Sequence, residues 1–312
     1  MGYRLCILGC GTMGIAILSG VVASLEAATS ATPSSHKQPK WESHTPGTMT
    51  PDQDASSTPS QFIACVSRAE TRTKLQGVFG ALGSLGKTVQ VVAGDNLNAI
   101  RQSDVVILCC KPQLAHVILA EEGIVDALEG KLLVSILAGV TQAQLVGWVR
   151  PTTRVIRAMP NTPCKIREGM TVLCNNSPIT ELDRAILLKI FSSIGRCSFL
   201  DEKHFDACTA LSGSGPAFAC IFLEAMADGG VMMGLPRAEA LELAAQTLQG
   251  AARMVLQHGA HPAQIKDTVT TPGGCTIAGL LALEDGRVRS TIARGIQIAT
   301  ERASELGQPA KK

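Results

Sequence analysis

Aromatic residues are scarce, 3% of 312 positions with two Trp and one Tyr. A surface for stacking nucleobases is therefore not expected. Charge is low and balanced, 28 Lys and Arg against 26 Asp and Glu for a net +2. That near-neutrality argues against nucleic acid or an anionic membrane as partner. No uninterrupted apolar run approaches the roughly 18 residues of a membrane-crossing helix. The cysteines number eleven, an odd count, and none forms a CxxC pair. Zinc and thioredoxin-type chemistry are disfavoured, and buried reduced thiols in a cytoplasmic protein are the expectation. His36, His44, His116, His204, His258 and His261 form no pair at metal-ligand spacing, so no metal is expected. His261, before Pro262, reads as the start of a helix. What remains is an ordinary globular composition, 46% hydrophobic and 17% charged, long enough for about two domains.

Residues 3–8 are apolar and end at Gly9, which marks a buried strand. Gly9-Cys10-Gly11-Thr12-Met13-Gly14 follows, then a helical stretch over residues 15–27. This is G-x-G-x-x-G in the strand–turn–helix setting of a dinucleotide fingerprint. Gly9 permits the tight turn, Gly11 lets a pyrophosphate approach the backbone, and Gly14 lets the helix pack closely on the strand. Thr12 and Met13 complete the turn as candidate cofactor contacts, and the N-terminus of the following helix offers free N–H groups to phosphate. Residues 28–60 are rich in Ser and Thr, with Pro33, Pro39, Pro46, Pro51 and Pro59 and no apolar periodicity. They read as a flexible surface insertion, with Trp41 either a docking residue or part of a mobile tip. A second strand, 62–66, ends in Ser67-Arg68 where a NAD-binding fold places a carboxylate. A hydroxyl and a guanidinium suit a 2′-phosphate, so NADP(H) is preferred, with NAD(H) as the alternative.

Apolar runs at 87–93, 104–110, 131–137 and 153–158 alternate with helical stretches at 96–102, 113–128 and 142–149. Such alternation implies a parallel sheet covered on both faces, with ligands at the strands' carboxyl ends. Those ends carry Cys110-Lys111-Pro112, Ala138-Gly139 and Met159-Pro160-Asn161. Lys111 fits either a catalytic role or a rigid turn. From about Pro178 the patterns become helical, giving an α/β chain: a Rossmann-type domain over 1–176, then an all-helical domain over 177–312 whose apolar stretch 217–233 belongs in a helix bundle or an oligomer interface. Two segments there, 211–216 and 269–276, place glycines and hydroxyls before a helix, an arrangement suited to a carboxylate. Between His204 and Ile265 there is no lysine. The β-hydroxyacid dehydrogenases, which share this layout, normally place a catalytic lysine in the second domain, because alcohol oxidation needs a base. Imine reduction does not.

Gly9–Gly14, Cys110-Lys111-Pro112, residues 159–163, 211–218 and above all 267–276 (DTVTTPGGCT) resemble the pyrroline-5-carboxylate reductases. The resemblance implies a Rossmann domain and a helical domain that interlocks with a second subunit in a homodimer or larger homo-oligomer. It implies reduction of 1-pyrroline-5-carboxylate to L-proline with NAD(P)H, the last step of proline biosynthesis. It also implies that Thr271, Gly274 and Cys275 receive the substrate carboxylate and that the Thr276 hydroxyl meets the ring nitrogen, as the catalytic residue. Asn96 would contact the adenosine ribose; Ala138, Met159 and Asn161 would lie on the nicotinamide side. The insertion at 28–60 is longer than the family's usual connection, and Gly259 stands where an acid is frequent.

If Ser67 and Arg68 read the 2′-phosphate, Arg68→Asp raises the KM for NADPH strongly and spares NADH. A charge-assisted contact of this kind is worth about 1.5–3 kcal/mol. Steady-state kinetics with both cofactors checks it; equal loss for both refutes the assignment.

Overall fold

A computed structural model of the protein describes residues 2–30, 55–175 and 178–306. The described chain divides into two compact units. One runs up to Gly213 and takes in the last turns of the final helix from Thr300; the other is Ser214–Ala299.

The first unit begins β1 (Tyr3–Leu8), α1 (Thr12–Ser30), β2 (Pro59–Val66), α2 (Ala69–Gly80), β3 (Gln90–Ala93) and α3 (Asn96–Arg101). It continues β4 (Val105–Leu108), α4 (Pro112–Leu119), α5 (Ile124–Ala127), β5 (Leu132–Ser135), α6 (Gln142–Gly147) and β6 (Arg154–Met159). Then come β7 (Gly169–Cys174), α7 (Glu181–Ser192), β8 (Gly195–Leu200), α8 (Phe205–Cys208) and a π-helical turn, Thr209–Gly213. The strands form one eight-stranded sheet in the order β3-β2-β1-β4-β5-β6-β7-β8. Its first six strands are parallel, β7 is antiparallel to β6, and β8 is parallel to β7.

The strands are apolar throughout because both faces are covered. Leu5, Ile7, Phe62, Ala64, Val105, Ile107, Val134 and Ile156 face one core, completed by Ile17, Leu18, Val21 and Val22 of α1, Leu75 and Phe79 of α2, and Phe191 of α7. Their alternates Cys6, Leu8, Ile63, Cys65, Val106, Leu108, Leu133 and Val155 face the other, against Ile100, Ala115, Leu119, Ile124 and Leu145. The period-2 alternation thus assigns each strand's side chains to two cores. Cys6 and Cys65 meet on that second face with their sulfurs 3.7 Å apart.

Polar groups close the ends of elements. The Lys131 ammonium donates to the carbonyls of Ile100, Arg101 and Ser103 at 2.5, 2.9 and 2.5 Å, gathering the chain that leaves the end of α3. Its burial lowers its pKa. At the start of β6, Arg154 grips Asp183 with two bonds of 2.7 and 3.1 Å, and the carboxylate also accepts the Thr180 N–H in the capping box of α7. Burial alone would push the Asp183 carboxyl up. The bonds from Arg154 and Thr180 outweigh it and hold the pKa below the usual carboxylate value.

Three expectations change. The helical region does not begin at Pro178: α7 and β8 extend the sheet, and the first unit reaches Gly213 instead of ending at 176. The reason is β8, a strand at the sheet edge in which buried Cys197 is flanked by half-buried Arg196 and Ser198. Within 28–60, α1 continues through Ser30, and residues 55–57 form a short 3-10 turn with Ser57 buried before β2 starts at Pro59. Residues 31–54, with Trp41, lie outside the described residues. Finally, two helical stretches, Thr12–Thr29 and Glu202–Met232, have the length and mean hydropathy (1.5 and 1.3) of membrane spans when an occasional charge is allowed. The first is the α1 that covers the sheet.

The second unit holds α9 (Gly215–Met232), α10 (Arg237–His258), α11 (Pro262–Thr268), α12 (Cys275–Asp285) and most of α13 (Val288–Leu306). Gly234, at φ +98°, lets the chain turn back after α9. Ala227, Ala240 and Ala244 are buried where α9 and α10 pack, and Arg237 pairs with Asp228 at 2.5 Å.

Asp183 has a depressed folded-state pKa, so its pairing contributes stability that is complete above the unfolded carboxylate value and is lost as pH falls through the folded value. Asp183→Asn, which keeps an acceptor for Thr180, therefore lowers stability at neutral pH by about 1.5–3 kcal/mol. It also flattens the acid limb of the unfolding curve; denaturant melts at pH 3, 5 and 7 check both.

Candidate active site

Parallel pairing brings the carboxyl ends of five strands to one edge. Leu8 lies opposite Cys65 and Leu108, Leu108 opposite Ser135, and Ser135 opposite Arg157. The turns leaving these ends are stitched by backbone bonds: Cys10 N–H to the Cys65 carbonyl at 2.7 Å, Cys109 N–H to Leu8 at 2.8 Å, Gly94 N–H to Val66 at 3.2 Å and Ile136 N–H to Leu108 at 3.2 Å.

The fingerprint glycines do three different jobs. Gly9 sits at φ +85°, and a Cβ there would lie 2.9 Å from the Cys110 backbone. A Cβ on Gly14 would lie 2.7 Å from Ile7 Cγ2, so the glycine lets α1 press against β1. At Gly11 a Cβ would meet nothing within 4 Å. That open face at the head of α1, beside exposed Thr12 and half-buried Met13, fits a pyrophosphate. Ile15 N–H returns to the Gly11 carbonyl at 2.8 Å, while the N–H groups of Thr12, Met13 and Gly14 have no backbone acceptor among the described residues. The anion-binding arrangement is therefore present in the backbone itself.

The other predicted nucleotide residues lie on the same unit. Ser67 and Arg68 are exposed at the end of β2, with Arg68 the N-cap of α2 and its guanidinium unpaired among the described residues. Asn96 is half-buried at the first position of α3, whose N-cap Asp95 accepts the Asn98 N–H. Cys110 is half-buried, its thiol pushed up to about 11 by burial, and Cys10 is pushed up to about 12 for the same reason. Neither serves as a thiolate nucleophile at neutral pH. Lys111 is exposed as the N-cap of α4 ahead of Pro112, and Ala138 is exposed before Gly139, which turns at φ +74°. Met159 is buried at the end of β6.

Asn161, expected on the nicotinamide side, is half-buried after the end of β6 and bonds two other segments. Its side-chain oxygen accepts the Met170 N–H at 2.8 Å, and its amide nitrogen donates to the Ser212 carbonyl at 3.1 Å. Both ends of the amide thus bond protein groups. A second feature escaped the sequence reading. Arg157, buried in β6, reaches Glu202 at 2.7 Å and lies 4.8 Å over the Phe205 ring, while the same Glu202 oxygen accepts the Gln142 N–H at 2.7 Å. The available signal was an arginine inside the apolar run Val155-Ile156-Arg157-Ala158.

The predicted substrate residues lie on the second unit. Thr271-Pro272-Gly273-Gly274 forms a β-turn: the Gly274 N–H bonds the Thr271 carbonyl at 3.1 Å, and Gly273 is at φ +69°. Pro at the second position and a left-handed glycine at the third make this a type II turn. Gly274 then N-caps α12 without a side-chain cap, and a Cβ on it would lie 2.5 Å from Thr271 Oγ1. Exposed Cys275 and half-buried Thr276 are the first two helical residues. Thr276 is thus past the cap position, and its hydroxyl makes no hydrogen bond among the described residues. His261 N-caps α11, Nδ1 accepting the Ala263 N–H, and Gly259 ends α10 at φ +64°.

Two family models match the chain: one for NADP oxidoreductases that are coenzyme F420-dependent, over residues 4–139, and one for pyrroline-5-carboxylate reductase dimerisation, over 202–306. A pyrroline-5-carboxylate reductase of Lophium arboricola is 47% identical, the alignment covering 97% of this chain and 93% of that protein. One of Schizosaccharomyces pombe is also 47% identical, covering 97% and 99%. Among solved structures, Plasmodium falciparum pyrroline carboxylate reductase with NADP bound superposes with a TM-score of 0.73 at 26% identity, over 98% of this chain and 100% of that one.

The glycines separate on substitution. Gly11→Ala leaves the melting temperature near the parent value but weakens NADPH about tenfold or more, ~1.4 kcal/mol. Gly14→Ala overpacks Ile7 and costs about 1–3 kcal/mol of stability. Thermal melts and cofactor titration on both variants test the division.

Proposed function

The chain belongs to the pyrroline-5-carboxylate reductase family, and from that premise we propose how its residues divide the reduction of 1-pyrroline-5-carboxylate to L-proline. NADPH supplies the hydride that reduces the imine carbon. The nucleotide residues are Gly9, Gly11, Thr12, Met13 and Gly14 for the pyrophosphate, Ser67 and Arg68 for the 2′-phosphate, and Asn96 for the adenosine ribose. Cys110, Lys111, Pro112, Ala138 and Met159 flank the nicotinamide. The observation that carries the nucleotide reading is the open Gly11 face beside unpaired helix N–H groups.

For the substrate, the type II turn and uncapped start of α12 favour the carboxylate, held by Thr271, Gly274 and Cys275 largely through backbone N–H groups. The Thr276 hydroxyl, one residue further on, hydrogen-bonds the ring nitrogen as it changes from imine to amine. A protonated imine is already electrophilic, so no residue needs to act as a strong acid. Thr276 orients and stabilises. Lys111 is exposed at a proline turn and is assigned the turn, not the chemistry.

The C-terminal segment carries a dimerisation domain, and the assembly we propose is a homodimer or larger homo-oligomer. Met232 and Met233 are 82% and 79% exposed in the single chain, and Ile221 and Leu281 are also exposed. Apolar surface of this extent calls for a partner, and a second copy accounts for the apolar Glu202–Met232 stretch without a membrane. The many buried thiols support a reducing, cytoplasmic setting.

NADPH oxidation with 1-pyrroline-5-carboxylate, compared with a panel of 2-keto and 3-hydroxy acids, tests the reading; turnover of the acids alone overturns it. Thr276→Ala loses about 10- to 150-fold in kcat/KM, the equivalent of about 1.5–3 kcal/mol for a hydrogen bond to a charged group. Thr276→Ser retains most activity, and NADPH affinity is little changed in both.

A further inference from the structure

The π-helical turn Thr209–Gly213 leads into α9, and its Ser212 carbonyl has a particular difficulty. In a helix that carbonyl takes the N–H of the residue four positions on. Here that residue is Pro216, which has no N–H to give. The Asn161 amide nitrogen supplies the missing donor, 3.1 Å from the Ser212 carbonyl and 3.4 Å from the Ser212 hydroxyl. Its amide oxygen meanwhile accepts the Met170 N–H at the start of β7, at 2.8 Å. One side chain therefore ties together three segments: the end of β6, the start of β7 and the turn before α9. A side-chain amide supplies a donor and an acceptor on two separate atoms without a charge. A π-helical turn is also a frequent mark of a functional region.

We propose that Asn161 is a positioning residue for imine reduction. It fixes the Ser212 turn against the end of β6 and touches neither substrate nor cofactor through its side chain. The inference rests on the activity assigned above. Loss of the Ser212 bond lets the turn drift by a fraction of an ångström while the nucleotide turns at Gly9–Gly14 and Ser67 keep their own backbone bonds. The defect therefore appears in turnover and not in cofactor binding.

Asn161→Asp separates the two halves of the amide. The carboxylate still accepts from Met170 but cannot donate to Ser212. In the full-length protein we expect kcat for 1-pyrroline-5-carboxylate to fall about 10- to 100-fold, the scale of a small misplacement of reacting groups. The Kd for NADPH, read by fluorescence titration, changes less than about threefold, and the melting temperature stays within a few degrees. Pro216→Ala returns a backbone N–H to the Ser212 carbonyl, so added to Asn161→Ala it recovers a substantial part of the lost turnover. A kcat for Asn161→Asp within about threefold of the parent overturns the proposal. So does a loss of kcat that runs in step with NADPH affinity and melting temperature, or a double variant with no recovery. If the parent protein does not reduce the imine at all, it is the proposed activity that fails.

Discussion

In parallel pairing every strand must run the same way, and β1 is held between β2 and β4 in this manner over most of its length. Each strand after the first needs a crossover to return the chain to the far edge. All the departures then fall together, and each exposes backbone groups that the sheet no longer pairs. The first unit resolves these departures differently at each strand. After β1 it uses glycine to bring backbone against backbone. After β4 it uses a proline at the first turn of α4, and after β5 a left-handed glycine followed by the Thr141–Gln144 capping box. After β6 it uses the Asn161 amide. A nucleotide reader and a rigid floor beneath it come from one geometric requirement.

The strands of the first unit are legible in the sequence because both faces are buried. Residues such as Val105, Val106, Ile107 and Leu108 have no reason to be polar. The fingerprint is equally legible, since each glycine answers a steric demand that no other residue meets. The edge elements are not. Strand β8 shares its surface with partly exposed groups, and only Cys197 of its six residues is fully buried, which leaves too little contrast to distinguish it from a continuation of α7. Helix α2 buries only Leu75 and Phe79, spaced four apart, on an otherwise polar surface. The work of Asn161 was out of reach for another reason: its partner is 51 residues away, and the demand it answers is created by a proline further on still.

The second unit follows a different logic. Its helices α9 and α12 are apolar yet bury little of that surface within the single chain. Ala227, Ala240 and Ala244 let α9 and α10 come close, at the cost of large buried side chains. A hydrophobic core built this way is small within one chain, in the segment that matches the dimerisation family model. The turn at Thr271–Gly274 is closed by its own Gly274 N–H to Thr271 carbonyl bond.

Lys131 and Lys111 offer a natural contrast within one fold. The first spends its ammonium on three carbonyls at the end of α3, and burial holds its pKa down; the second projects from a surface turn. The free amine lone pair attacks an acylating reagent, and Lys131 presents that lone pair only when its three acceptors let go. Lys111 is labelled in the folded protein at once, whereas labelling of Lys131 waits on opening of the α3 end. The pair amounts to an internal clock for local unfolding, readable by mass without an added probe.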